Sequence, residues 1–455
     1  MSPLLLLSAL TLSVAAPVDA GPTVEPAGMF IADSTLPGER RADDVVPRHL
    51  CCVQAARTRW VIVYYGHGFR GVDDERSILY QVRRDAPDGH IVKEGFLAKT
   101  VTDWKPAGVP PAPAGTVYFK QYGHATAFGV PKGAVVGGKP LPHANLFVAQ
   151  WRVSARVLDP KADRLVHSSK HPELLDRTID AEWVQFRLND AEDDIDVVQP
   201  VAKLRPKDGA LPAGAGWMNQ TFCAAVPTTE RADEWVQCNH FDRGRLAVLK
   251  MRYDAEAKRY VWVATSPFLT DKRPLSEASL VRSDNEWLVS ARTAGGIAWF
   301  RSKDPLATWP AATFTAEPVL SAPHTTFRCA DGLVRLFGGD RQASPQKYDR
   351  DPMYVWDVAS ADGDVALANR RVVFDSTAAK VAIRAEVRPR VDFAALFPPH
   401  GRVQIVAFSV TPRAYNFPYE GTTIPPATAA DKAASGLYFA RITYATDVPP
   451  AWRFE

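Results

Sequence analysis

The feature that most constrains the fold of this chain is a series of short apolar runs that come in pairs. The runs are rich in Val, Ile, Trp, Tyr and Phe and lie between clusters of Gly, Pro and Asp, while helical periodicity is almost absent. Runs of this kind are typical of β-strands, and closely spaced pairs are typical of antiparallel hairpins. Seven pairs are present, and their two runs begin at Trp60 and Ser77, Ala125 and Asn145, Trp183 and Val197, Glu234 and Leu246, Glu286 and Ile297, Gly332 and Met353, and Arg402 and Leu437.

The spacing of these pairs predicts a repeated sheet. Their leading runs begin at intervals of roughly fifty to seventy residues, close to what a four-stranded propeller blade needs with its loops. Weaker segments such as GWMNQTFCAAV and HTTFRCA would supply innermost strands. We therefore predict an all-β fold, a seven-bladed β-propeller, and keep a β-sandwich with added domains as the alternative.

Composition excludes several classes of protein. The chain has 455 residues, 46% of them hydrophobic, and twelve tryptophans, which is enough for a substantial core. A formal net charge of +3 and the lack of any long run of like charges indicate no nucleic-acid partner. No segment beyond the N-terminus approaches the length of about eighteen apolar residues that a membrane span requires. We expect a monomer that binds neither nucleic acid nor membrane.

The N-terminus predicts export. MSPLLLLSALTLSVAAPVDAG is an apolar run followed by small residues, with Val18 and Ala20 in a cleavage frame before Gly21, although no Lys or Arg precedes the run. We predict a signal peptide over residues 1–20, a secreted or periplasmic protein, and a single propeller domain over residues 21–455. The proline-rich segment that begins at Lys105 is interpreted as a loop between blades.

Two histidines stand among small neighbours at the start of apolar strands. His124 lies between Gly123 and Ala125, and His143 follows nineteen residues later beside another alanine. Small flanking residues leave room for a ligand to approach an imidazole, and an imidazole can take or donate a proton near neutral pH. If both strands belong to one blade, the two rings can emerge on the same face, with Tyr122 pointing the same way. The alternative is that each histidine is a hydrogen-bonded structural residue.

These segments resemble a known family. YFKQYGHATAFGVPKGA and KPLPHANLFVAQWRVSARVLD, together with RTRWVIVYYG and ILYQVRRDAPDGHIV, are similar to the seven-bladed β-propeller polysaccharide lyases of the ulvan lyase type. The likeness is concentrated between Trp60 and Leu158. Related propellers include rhamnosidases and rhamnose-glucuronate lyases.

The resemblance implies β-elimination at the uronic acid of an acidic polysaccharide, with ulvan as the expected substrate. His124 and His143 match the catalytic histidine pair, with the base and the acid not assigned between them. Asn239 resembles the amide beside the substrate carboxylate, Arg292 is the expected charge-neutralising arginine, and Arg205 is the reserve. Some members of the family use a tyrosine as a proton carrier, but this chain has no tyrosine between Tyr122 and Tyr253. Either the two histidines divide the labour, which we favour, or Tyr122 takes part, and we assign Tyr122 to substrate binding.

The cysteines raise the possibility of a structural zinc. Cys238 and His240 alternate along one predicted strand and so face the same way, while Cys223 lies across a turn from them. Cys329 or His324 would complete a tetrahedral set. The alternative is that these cysteines pack as small hydrophobic side chains. No organic cofactor is expected.

Two other functions remain open. RSDNEWLVSAR, which begins at Arg282, loosely resembles the Asp-box pattern of sialidase-like propellers, which makes a sialidase-like or rhamnosidase-like glycoside hydrolase one alternative. A non-catalytic propeller that binds glycans on its aromatic side chains is the other.

Overall fold

A computed structural model describes most of the chain. The predicted signal peptide and Cys223 lie outside the described residues, which are 22–31, 45–68, 75–102, 104–105, 111–159, 161, 164–165, 177–208, 211–215, 218–219, 225–316, 323–340, 350–361, 364–412, 425 and 427–454.

The fold is nearly all β-structure, as the sequence predicts, and each of the seven predicted pairs of runs forms two hydrogen-bonded antiparallel strands. The burial of a strand depends on its place in its sheet. The side chains from Trp60 to Tyr65 are at most 1% exposed, because both faces of this strand pack against neighbouring sheets. By contrast, Val197 on an outermost strand is 54% exposed. Continuous apolar runs therefore correspond to inner strands.

The first half of the chain forms three sheets, here called sheets 1 to 3. All strand pairs in them are antiparallel, and the strands follow the chain order closely. Sheet 1 contains Val45–Ala56, Arg59–Gly68, Glu75–Arg84 and His90–Ala98; sheet 2 contains Val101–Thr102, Val117–Val130, Leu146–Asp159, Arg164–Leu165, Arg177–Leu188 and Ile195–Lys203; sheet 3 contains Met218–Asn219, Val226–Pro227, Glu234–Phe241, Arg245–Asp254 and Arg259–Thr265.

The second half forms sheets 4 to 6, each with four strands. In sheet 6 the outermost strand comes from the N-terminal part of the chain, so that residues far apart in sequence complete one sheet. Sheet 4 contains Ala278–Ser283, Glu286–Thr293, Gly296–Ser302 and Thr313–Ala316; sheet 5 contains Thr325–Arg328, Val334–Gly339, Met353–Ala361 and Asp364–Phe374; sheet 6 contains Pro389–Leu396, Val403–Pro412, Gly436–Thr443 and Thr23–Ile31.

The remaining elements are short. Arg453–Phe454 pairs with Ala134–Val136, which pairs with Lys139–Pro140 to form a small three-stranded sheet. The α-helix Ala429–Ala433 starts at a capping box in which Thr428 and Asp431 satisfy each other's backbone N–H groups. Two 3₁₀ turns span Asp242–Gly244 and Ala385–Val387. Among the described residues, no helix has the length and apolar character needed to cross a membrane.

The hydrophobic core is divided into six clusters, one between each pair of neighbouring sheets. Phe128 of sheet 2 packs on Trp235 of sheet 3 with ring centroids 5.0 Å apart, and Phe374 of sheet 5 packs on Phe408 of sheet 6 at 4.9 Å. The cluster that contains Trp60 joins sheet 1 to sheet 6, so the series of sheets closes on itself. The other three clusters join sheets 1 and 2, 3 and 4, and 4 and 5.

The described residues thus form six sheets of the blade type, and the expected seventh is not found among them. The difference arises in sheet 2. The sequence predicts one blade from the runs at Ala125 and Asn145 and another from those at Trp183 and Val197, but Phe147 pairs with both Gly129 and Phe186. A strand-pairing pattern that continues across two hairpins is not visible in local periodicity, because periodicity reports strands and not their partners.

Candidate functional site

Charged side chains from three sheets meet where the inner strands of sheets 4, 5 and 6 begin. Glu277 stands directly before the first strand of sheet 4, and His324 directly before that of sheet 5. Asp392 lies near the start of the first strand of sheet 6. Because these strands line the centre of the ring, their starts converge on one end of it. We call Glu277, Arg292, His324, Arg350, Arg390 and Asp392 the arginine–carboxylate cluster.

Glu277 and Arg292 are opposite each other across the hairpin of sheet 4. The Arg292 backbone N–H donates to the Glu277 carbonyl at 2.9 Å, and Arg292 Nη1 contacts Glu277 Oε2 at 2.9 Å. The Ser276 hydroxyl donates to the same carboxylate oxygen at 2.6 Å. Burial alone would raise the pKa of Glu277, but Arg292, the Ser276 hydrogen bond and Arg350 outweigh it and lower that pKa below its usual value. Glu277 is therefore an ionised carboxylate at neutral pH.

A second carboxylate is held by two arginines. Asp392 is 1% exposed, and its Oδ2 accepts from Arg390 Nε at 2.9 Å and from Arg350 Nη1 at 3.1 Å. The backbone also joins these sheets, since the Val391 N–H donates to the Arg350 carbonyl at 2.8 Å. The two guanidinium groups compensate the negative charge of the buried carboxylate. The positions of both arginines are therefore well defined.

Alternation along the strands places His324 against Glu277 and Arg292. Two residues further along, Ser290 and Thr326 share a hydrogen bond of 2.7 Å between sheets 4 and 5, and the Thr326 N–H donates to the Ser279 hydroxyl at 3.1 Å. Side chains two residues apart on a strand share a face. His324 therefore faces sheet 4 one step above this serine–threonine layer.

The electrostatic state of His324 agrees with that position. Burial is the main cause that lowers its pKa to about 4, and Arg292 lowers it further while Glu277 opposes the change. The imidazole is therefore neutral at pH 7, and the cluster contains three guanidiniums against two carboxylates. Because the side chains of Arg292 and Arg350 are 24% and 18% exposed, they remain accessible to a ligand. An accessible site that contains more guanidinium groups than carboxylates suits the binding of a carboxylate or another planar anion.

The two histidines predicted to act as a pair lie apart. The His124 ring packs near Tyr65 of sheet 1 and Phe393 of sheet 6, with ring centroids at 6.4 and 5.8 Å. His143 lies in the loop that joins the far end of the same strand, which is about 20 Å away for six strand residues. The rings therefore do not face one sugar.

His143 has the contacts of a structural residue. Its Nε2 lies 2.8 Å from the Arg231 carbonyl, and its ring packs against Tyr253 in a tilted arrangement with centroids 5.1 Å apart. Burial lowers the pKa of His143 below its ordinary value of 6.5, so the ring is neutral. The contacts favour the structural alternative for this histidine.

The four expected substrate-binding residues also lie in different parts of the fold. Arg292 is part of the arginine–carboxylate cluster. Tyr122 is 3% exposed and packs on Trp151, while Asn239 is buried with its amide nitrogen 3.6 Å from Met218 Sδ. Arg205 forms a two-pronged ion pair with Asp180 at 2.6 and 2.7 Å in the outer part of sheet 2. The structure thus brings only the first of these four into the cluster.

The cysteines of the predicted zinc site lie in different parts of the fold. Cys238 belongs to the core between sheets 3 and 4, and Cys329 to the core between sheets 5 and 6. His240 faces Glu277, and no group of three or more His, Cys, Asp or Glu side chains within the described ranges is arranged to hold a metal ion. Cys223 lies outside those ranges, so zinc binding stays a prediction, with Cys238 and Cys329 unable to serve the same ion.

Sequence reasoning missed most of the cluster. Arg390 and Asp392 occupy alternate positions in the apolar strand PRVDFAAL, and an opposite-charge pair on one face of a buried strand is a signal that could have identified them. Glu277 and Arg350 stand in loop segments and carry no comparable local signal.

A second local signal that sequence reasoning missed is a turn formed around an aspartate. The segment that resembles an Asp box spans the first hairpin of sheet 4, but an aspartate turn forms later, at SKDPLATW. There Asp304 accepts from the Leu306 N–H at 2.9 Å, and the Ser302 hydroxyl donates to the Asp304 carbonyl at 2.6 Å. Trp309 packs beneath this turn in the core between sheets 3 and 4.

Comparison with known proteins identifies the architecture. The sequence matches no protein-family model, and no curated protein is significantly similar to it. A protein of unknown function from Dyadobacter fermentans has a TM-score of 0.55 at 9% identity, over 93% of this chain and 99% of that one. The NanB sialidase from Streptococcus pneumoniae has a TM-score of 0.53 at 9% identity, over 90% and 70% of the two chains. The Hadza microbial sialidase Hz136 has a TM-score of 0.51 at 10% identity, over 88% of this chain and 66% of that one.

Identities of 9–10% show the fold alone. Together with the six core clusters between neighbouring sheets, they establish that this chain has a β-propeller fold similar to that of sialidases.

Proposed function

We propose that this protein is a propeller glycoside hydrolase that acts on a glycan with a carboxylate-bearing sugar. The observation that supports this most is the accessible pair Arg292 and Arg350, each positioned by a carboxylate of its own at the centre of a sialidase-like fold. In this proposal the arginine–carboxylate cluster is the active site.

The arginines would bind the substrate carboxylate. Arg292 uses Nη1 for Glu277, and Arg350 uses Nη1 for Asp392, so both are oriented before a ligand arrives. Preorganised guanidiniums lose little conformational entropy on binding, and a fork of N–H donors matches the two oxygens of a carboxylate. An acidic sugar would therefore be held in one orientation.

The carboxylates would contribute to catalysis. Glycoside hydrolysis passes through a transition state with positive charge on the sugar ring, and enzymes stabilise it with Asp or Glu side chains. Glu277 is partly exposed at 21% and is kept ionised by its cationic neighbours. It is therefore the residue to which we assign stabilisation of the developing charge, while the buried Asp392 positions the arginines.

The ulvan lyase interpretation has less support. It depends on two imidazoles that act on one sugar, and His124 and His143 contact different parts of the fold. A uronate-containing substrate remains compatible with the cluster, because the arginines would recognise its carboxylate in the same way. The non-catalytic glycan-binding alternative also uses these arginines, and only turnover separates it from the hydrolase.

A substrate panel tests the proposal. The wild-type protein is incubated with fluorogenic glycosides of N-acetylneuraminic acid, glucuronic acid and neutral sugars, and with uronate polysaccharides. Release of the fluorophore from an acidic sugar, and its loss in Arg292→Gln, would support the hydrolase. Ultraviolet absorbance from a new conjugated double bond would instead support a lyase, and affinity for an acidic sugar without any product would support a lectin.

A matched control is available in the same sheet. Arg301 forms an ion pair with Glu286 at 2.7 Å and has a similar exposure of 29%, but it lies outside the cluster. Arg301→Gln should retain activity. If both substitutions reduce activity equally, the effect of Arg292 is one on folding and the proposal fails.

A further inference from the structure

His324 is a deeply buried imidazole at the edge of the ion pair between Glu277 and Arg292. It is 2% exposed, and among the described residues neither Nδ1 nor Nε2 has a hydrogen-bond partner. Leaving a buried polar group unsatisfied destabilises the folded state, so such groups are rare in folded proteins. His324 has two such ring nitrogens within a cluster of charged side chains, and this arrangement requires an explanation.

The position of the ring limits what it can contact. His324 faces sheet 4 one step above the hydrogen bond between Ser290 and Thr326. On sheet 4, Glu277 and Arg292 occupy the same level, because Ser279 and Ser290 pair directly below them. The imidazole therefore faces an ion pair, and both members of that pair act on its charge.

In the proposed function, Arg292 of this ion pair has two roles. Arg292 stabilises Glu277 in the free protein, and Arg292 is also expected to bind the substrate carboxylate. When a ligand takes the guanidinium, Glu277 loses part of its compensation, and an uncompensated carboxylate in a partly buried site is strongly unfavourable. A replacement donor close to Glu277 would remove that cost.

We propose that His324 is a positioning residue that replaces Arg292 as the hydrogen-bond donor to Glu277 when an anionic ligand binds Arg292. This inference rests on the proposed function for the identity of the ligand. The imidazole N–H donates to the carboxylate, and as Arg292 moves away, the ring takes up a proton from solvent more easily. Glu277 thereby keeps its place and its charge during binding.

The charged groups around His324 determine the direction of this change. Glu277 and Arg292 face it from sheet 4. Arg350, in the loop before the third strand of sheet 5, and Arg390 of sheet 6 both contact Asp392 in the same cluster, while His240 of sheet 3 interacts with Glu277. In the free protein burial, followed by the Arg292 guanidinium, holds the pKa of His324 at about 4. A hydrogen bond to Glu277 raises that pKa, as an opposite charge at contact distance does.

The proposed exchange of hydrogen-bond donors, from Arg292 to His324, is tested first without any ligand, by NMR of histidine-labelled protein. The His324 ring signal is assigned by its loss in His324→Gln and is followed as a function of pH. Arg292→Gln imitates withdrawal of the guanidinium, and we expect it to raise the pKa of His324 by about one to three pH units. In the double variant Arg292→Gln with Glu277→Gln, the increase should disappear. A His324 pKa that is the same in wild type and Arg292→Gln would overturn the inference, as would an increase that persists in the double variant.

The ligand is tested next, on the wild-type protein with N-acetylneuraminic acid or glucuronic acid as the probe and galactose as the neutral control. An acidic sugar should move the His324 signal in the same direction as Arg292→Gln, and galactose should not. If the variant moves the signal and no acidic sugar does, the exchange stands and the proposed function fails for these sugars. If an acidic sugar binds without any change at His324, the exchange is wrong and the proposed function stands. If Arg292→Gln does not fold, this second measurement on the wild-type protein tests the exchange by itself.

Discussion

Glu277 and Arg292 are fifteen positions apart in the chain, yet they pair directly across one hairpin, with the guanidinium Nη1 2.9 Å from the carboxylate Oε2. Through Arg350, which also lowers the pKa of Glu277, this pair is coupled to the next sheet. Asp392 connects the same arginine to a third sheet. The candidate site is thus one network across three sheets, and changes at its members should have separable effects.

Replacement of Glu277 by Gln should separate binding from turnover. The amide has the shape of the carboxylate but no charge, so a hydrolase should lose about a hundredfold or more of its kcat. Affinity for an acidic monosaccharide should be retained or increased, because Arg292 is then free for the ligand. Calorimetric binding and fluorogenic assays measure the two quantities, and Glu286→Gln in the Arg301 pair is the control. Loss of binding together with turnover would contradict the role assigned to Glu277.

Replacement of Asp392 by Asn should destabilise the protein. The carboxylate is 1% exposed and pairs with Arg350 and Arg390, the latter 5% exposed, so its removal takes a charged partner from each of two guanidiniums. Loss of one partner from a buried ion pair costs about 3–5 kcal/mol. Denaturant unfolding measures this change, and Asp447→Asn at an exposed position should have almost no effect. Equal stability of the two variants would show that Asp392 is not the anchor of these arginines.

The capping box at Thr428 predicts a stability difference that depends on pH. Burial alone would raise the pKa of Asp431, but hydrogen bonds from Arg384 and Thr428 lower it from 3.8 to about 2. A lowered carboxyl pKa contributes stability that is present above the unfolded value and is lost as pH falls through the folded value. Asp431→Asn should therefore be less stable than wild type at pH 7, by about 1 kcal/mol for a lost cap. The difference should shrink between about pH 4 and pH 2. Thermal melts across this range measure it, and a constant difference would contradict the assignment.

Removal of the strand Thr23–Ile31 should weaken the whole ring. This strand pairs with Gly436–Thr443, for example Val24 with Ile442, and completes sheet 6. Its loss exposes a sheet edge and removes contacts beside the core between sheets 5 and 6. A chain that begins at residue 32 should melt at lower temperature and be cut faster by protease than one that begins at residue 22. Equal melting temperatures would show that the strand is dispensable.

The sequence by itself determined the strands. Each of the seven paired runs is found as an antiparallel pair, and the runs of continuous apolar residues are the inner strands, because side-chain alternation and β-propensity act over a few neighbouring residues. These features depend on local chemistry, which a single sequence displays. Arg292 came instead from the family resemblance, and its role in substrate binding stays a prediction.

The number of sheets and the composition of the site were decided by tertiary structure alone. Sheet 2 joins two hairpins, sheet 6 takes its last strand from the other end of the chain, and His124 lies within a strand whose far end precedes the loop that contains His143. The cluster combines Glu277, His324 and Asp392 from three consecutive sheets, which the packing of sheet 4 on sheet 5 and of sheet 5 on sheet 6 brings together. Long-range pairing of this kind depends on the packing of whole sheets, and no local pattern in the chain encodes it.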